Sequence, residues 1–161
     1  MATTDAGTTA APALTKHELA QKRIEYYARW AAATGAIPAP LLDLAALTAV
    51  QLKMLKTLAK IYGVEFKENI GKSVLGSVLG AVVPAKIGYG AIGTAIKSIP
   101  GIGTIAGMAT VPGFNYASTH AVGKVFEKHF ASGGKMLSLD PKSLEKQVVD
   151  VLASPAPVDT K

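Results

Sequence analysis

Residues 73–118 read SVLGSVLGAVVPAKIGYGAIGTAIKSIPGIGTIAGMATVPGFNYAS, and the division of this stretch decides the fold. Ser73 to Ile96 carries one charge, Lys86, and Ser98 to Ser118 carries none. Between them lies Ile99-Pro100-Gly101-Ile102. Proline presets φ and glycine supplies the positive φ of a type II turn, so Pro100 and Gly101 are expected to form a hairpin turn between two helices. Each arm, if helical throughout, would measure about 30 Å, the depth of a hydrocarbon core. The spacings Gly76-x-x-x-Gly80 and Gly103-x-x-x-Gly107 mark these four glycines as expected helix-packing and oligomer contacts, because small residues let backbones approach closely. Pro84 and Pro112 fall within the arms and predict a kink or an end there.

Outward from this block the helices have clear punctuation. Thr15 and Glu18 form a T-x-x-E capping box, which starts an amphipathic helix at 15–34. Gly35 is expected to stop it in the left-handed region. Its apolar stripe reads Leu19, Tyr26, Tyr27, Trp30 and Ala31. These aromatics, beside Arg29, either dock on a neighbouring helix or form an interfacial belt; docking is the more ordinary role. Pro38 and Pro40 break the chain, and a second helix is predicted over 41–63, capped by Gly63. Asp43 falls in its first turn, where the dipole favours a carboxylate. Lys53, Lys56 and Lys60 share one face, either a solvated face or, with Trp30, a set of lipid-headgroup contacts. The apolar hairpin covers 70–130 and ends at Gly133-Gly134. Asp140-Pro141 starts a last helix over 140–153. Residues 1–14 read as a disordered arm without the features of a signal peptide, and 154–161 as a flexible tail.

Composition narrows the partners. Half of the chain is apolar (49%) and 17% is charged, below the usual quarter of a soluble protein. Between Glu68 and Glu127 there is no acidic residue, while Lys72, Lys86, Lys97 and Lys124 punctuate the interval, a pattern suited to an anionic lipid surface. Nucleic acid is not expected, since Arg23 and Arg29 are the only arginines and the lysines are dispersed. The chain has no cysteine, which removes disulfides and thiolate chemistry.

The chemical motifs fail on context. Gly71-Lys72-Ser73 resembles the end of a phosphate loop, but Phe66 stands where the first glycine is needed. Gly88-Tyr89-Gly90-Ala91-Ile92-Gly93 matches a dinucleotide fingerprint with no βαβ pattern around it. His17, His120 and His129 lack partners at ligand spacing, since Glu127 lies only two positions from His129. Thr119 and His120 are expected to bond backbone inside the bundle. No enzyme, metal or cofactor is therefore expected.

The strings Ile37-Pro38-Ala39-Pro40-Leu41-Leu42-Asp43, Leu47 to Leu55, Ile61-Tyr62-Gly63-Val64 and Ile99 to Thr104 resemble the YcjF-like, GTPase-associated membrane family of unknown function, as does Ala121 to Phe126 with Gly133-Gly134. The resemblance spans roughly 37–139 and implies a membrane-associated helical domain, with any GTPase a separate partner. It assigns no catalytic residue. The expectation is an all-α helical bundle with a glycine-rich apolar hairpin inserted in a membrane and both termini on the cytoplasmic side. It would self-assemble as a homo-oligomer and scaffold or shape the membrane. The alternative is a soluble helical interaction module with the hairpin as its core. A channel-forming role is a further reading of the same hairpin.

Overall fold

The computed structural model describes residues 13–36, 40–82 and 111–153. Over these it is all-α: α1 (Lys16–Thr34), α2 (Pro40–Tyr62), α3 (Glu68–Val82), α4 (Val111–Ala131) and α5 (Pro141–Ala153), with a short 3₁₀ turn at Met136–Ser138. The expected arm and tail lie mostly outside the described residues, as do Pro84, Lys86, Lys97, Pro100, Gly101, Gly103 and Gly107. The hairpin turn and the second glycine pair are therefore not described.

The caps behave as their chemistry dictates. Thr15 Oγ1 accepts from the Glu18 amide at 3.2 Å while the Glu18 carboxylate accepts from the Thr15 amide at 2.8 Å, closing the capping box. Gly63 ends α2 with φ 71°, and Asp140 accepts from the Ser143 amide ahead of Pro141. Gly35 departs from expectation. It sits in the right-handed region at φ −66°, and its role is steric, because a Cβ there would meet the backbone nitrogen of Pro112 at 2.7 Å.

The core is organised around α4, which lies against α1 and α2, while α3 packs chiefly on α5 and α2. Ala20, Ile24, Ala28 and Ala31 form the buried seam of α1, and Gly123 faces it from α4. A Cβ on Gly123 would lie 2.8 Å from Ile24 Cγ1, so the two helices meet at backbone distance. This corrects the predicted stripe of α1. The close approach of α4 selects the small side chains for the interior, and Tyr26 and Trp30 are turned outward at 49% and 56% exposure.

Of the expected hairpin over 70–130, residues 70–82 and 111–130 are described. Val74, Leu75, Val78 and Leu79 turn the apolar face of α3 into the core. Residues 111–118, the end of the expected second arm, are the first turns of α4, and Pro112 lies in its first turn. Phe114, Asn115, Ser118 and Thr119 are buried there, three of them polar and held by protein partners. Over their described lengths the two arms pack on other helices more than on each other. Among the described residues no helix is long and apolar enough to cross a membrane. Gly76 and Gly80 are exposed, with no described atom within 4 Å of a Cβ built on either, so they make no close packing within the described chain.

Candidate functional site

Two pairings give the bundle polarity. Asn115 Nδ2 of α4 donates to Asp43 Oδ1 at 3.0 Å and to Thr34 Oγ1 at 3.1 Å, which brings the end of α1, the start of α2 and the start of α4 to one level. Leu79, near the end of α3, packs with Ala31 and Leu47 at that same level. The ends of α1 and α3 and the starts of α2 and α4 thus meet at one end of the molecule. Residues 83–110 must leave and return there: 28 residues without an acidic side chain. Asp43 lies in the first turn of α2, where the dipole favours a carboxylate, and it is 2% exposed and accepts from the Asn115 side chain.

The opposite end is polar. Glu127, 5% exposed, accepts from three side chains: His17 Nδ1 at 2.6 Å and Tyr62 OH at 3.0 Å on Oε1, and Gln21 Nε2 at 2.7 Å on Oε2. Burial and the adjacent Glu127 carboxylate push the Tyr62 hydroxyl up to about 12. The partner of Glu127 is thus His17, not its sequence neighbour His129, whose Nε2 contacts the Lys135 carbonyl at 3.1 Å. The distance of 110 residues hid this contact from the sequence. Midway, Gln51 Nε2 donates to Thr119 Oγ1 at 3.1 Å, so Thr119 bonds a side chain and not the backbone.

The outer side of α1 carries the exposed aromatic groups. Tyr26 packs edge-on to Tyr27 at 5.2 Å and to Trp30 at 6.3 Å. Tyr27 docks on α2 as expected, its hydroxyl 3.0 Å from Thr57 Oγ1, whereas Tyr26 and Trp30 do not dock. Tyr26, Arg29, Trp30 and Ala33 line a shallow open groove of about 330 Å³. Lys53, Lys56 and Lys60 are exposed on α2 around Thr57. The proposed headgroup residues Trp30 and the three lysines therefore flank one α1–α2 seam. Leu42 (64% exposed) and Leu44 lie in the first turns of α2, on opposite sides of the buried Asp43.

A second groove of about 460 Å³ lies between α1 and α4, lined by Gln21, Lys22, Glu25, Tyr26, Arg29 and His120. Glu25 accepts from Tyr116 OH at 2.7 Å and from Arg29 Nε at 2.9 Å. Burial opposes its ionisation, but these two donors outweigh burial and hold the carboxyl below its usual range. Burial, then the Glu25 carboxylate, raises the Tyr116 hydroxyl to about 12. His120 stacks on Tyr116 at 5.9 Å, and burial and Lys124 lower its pKa. At neutral pH the groove therefore holds an ionised carboxylate, a protonated phenol and a neutral imidazole, an arrangement that ties α4 to α1. Among the described residues no group of three or more His, Asp or Glu is placed to hold a metal ion.

Comparison with known proteins yields two matches. The family model described as a domain of unknown function, DUF697, matches residues 13–152. Magnetosome membrane protein 22 of Magnetospirillum gryphiswaldense is 36% identical over 143 residues, covering 87% of this chain and 73% of that protein. No solved structure matches the chain.

Proposed function

This chain belongs to the DUF697 family, the GTPase-associated YcjF-like family, and from that premise we propose that it is a non-enzymatic, membrane-associated helical protein. One observation carries the reading. The acid-free stretch 83–110 begins and ends at the end of the bundle where Trp30, Leu42 and Leu44 are exposed. An acid-free apolar sequence thus adjoins exposed apolar side chains at this end, while Leu14 and Leu137 are exposed near the other. The name of its relative, a magnetosome membrane protein, supports the same reading.

Self-assembly on the membrane is the companion proposal, motivated by the outward-facing Gly76 and Gly80. So is a separate GTPase as partner, motivated by the family. In this reading the protein shapes or marks a membrane and carries no chemistry of its own. Carbonate extraction and liposome flotation test it: the full chain is expected to remain with lipid, and a chain recovered wholly in the lipid-free fraction would refute it.

The alternative, a helical interaction module with the hairpin as core, has its own support. Val74, Leu75, Val78 and Phe114 of the predicted arms already lie in the protein interior. A monodisperse, detergent-free protein that ignores liposomes would favour that reading.

A further inference from the structure

We propose that the aromatic face of α1 around Trp30 is the surface that enters the interfacial layer of an anionic phospholipid bilayer, with the Lys53, Lys56 and Lys60 strip of α2 meeting the headgroups. The inference rests on the membrane reading above and adds to it which surface touches lipid.

Trp30 and Tyr26 are large, exposed and stacked edge to face, yet the seam they leave is filled by alanines. A bundle that only needed a core would more readily bury the aromatics. Indole and phenol rings carry both an apolar body and a polar tip, the combination that favours the headgroup region. Trp30 lies about 6 Å along the helix before Thr34. Thr34 is level with Asp43 through Asn115, and Leu42, next to Asp43 in sequence, is 64% exposed.

Charge selects the class of partner. Lys53, Lys56 and Lys60 are exposed beside the same seam, as are Lys22, Arg23 and Arg29 on α1. Glu25 is the carboxylate in this region of α1, and it is engaged by Arg29 and Tyr116. A juxtamembrane basic cluster of this kind is attracted to anionic lipid over distances of about a Debye length. A bilayer, unlike a small protein partner, accommodates an aromatic face and a basic strip at once.

Trp30 is the only tryptophan in the chain, so its fluorescence reports this surface alone. The full chain is mixed with vesicles of equal parts phosphatidylglycerol and acyl-brominated phosphatidylcholine, and sedimentation is measured on the same sample. The expected result is co-sedimentation with a blue-shifted, bromine-quenched emission. In the double variant Trp30→Phe, Leu137→Trp, the probe moves to an exposed site beyond the end of α4, and no shift or quenching is expected on binding. Trp30→Ala is expected to weaken partitioning by roughly tenfold, the scale of one large apolar side chain lost from burial. Co-sedimentation with unquenched Trp30 would overturn this inference and leave the membrane reading standing. No sedimentation at all would overturn both. A blue shift that grows with protein concentration in the absence of lipid would overturn it in favour of a second copy on this face.

Discussion

The two ends of the bundle handle side chains in opposite ways. At the polar end a buried carboxylate, Glu127, is satisfied by His17, Gln21 and Tyr62 from α1 and α2, so three helices are held in register by one residue of α4. At the other end Asn115 does similar work between Thr34 and Asp43, but around it Leu42, Leu44 and Trp30 remain exposed. Hydrogen-bonded groups inside a protein fix geometry because leaving them unpaired is expensive. Exposed apolar groups fix nothing in the isolated chain. Trp30 and Tyr26, packed edge-on to each other on the outer side of α1, point to a surface whose complement lies outside the molecule.

The comparison can be broken experimentally. Glu127→Leu removes the acceptor and leaves the half-buried donors of Gln21 and Tyr62 without that partner. A loss of about 2–3 kcal/mol in urea unfolding is expected, with all three helices destabilised together. If unfolding is unchanged, the polar end is not what holds the helices in register.

A smaller effect is expected at Gly35. Gly35→Ala drives a methyl against the Pro112 backbone, which cannot rotate away as a side chain would. A loss of about 1–2 kcal/mol is expected, together with altered amide shifts in the first turn of α4. Leu42→Ser sharpens the contrast from the other side. Being 64% exposed, this site should change stability by no more than about 0.5 kcal/mol, although it lies near the Asn115 pairings. A large loss there would show that the apolar end is structural after all.

The smallest expected effect is a slope with pH. His120 has a folded-state pKa below its ordinary value of 6.5, chiefly through burial. The unfolded chain therefore binds the proton more readily, and stability must fall as pH drops through 6.5 towards the folded pKa. His120→Phe should flatten that slope, and an NMR titration of His120 should give a midpoint below 6.5. A midpoint above 6.5 would reverse the sign.

Much of this was legible in the chain itself. Thr15 and Glu18, Gly63, and Asp140 with Pro141 each marked a helix boundary through local chemistry alone. The helix type and the order of the elements followed from them. Local rules failed where contact with a distant residue decides the outcome. Gly35 looked like a left-handed stop, yet its lack of a side chain serves Pro112. Close packing around a glycine brings Gly123 of α4 against Ile24 of α1, a contact no local spacing marked.

Sequence by itself determined that the protein is helical, where most of its helices start and stop, and that one long stretch would avoid acidic charge. These properties depend on neighbours within a turn or two, or on composition. Only the tertiary structure decided which face of each helix is inside. Periodicity gives the angle between residues but not the size of the partner across the gap. Here α4 comes close enough to α1 to admit only alanine and isoleucine, and the aromatic side chains are left on the surface.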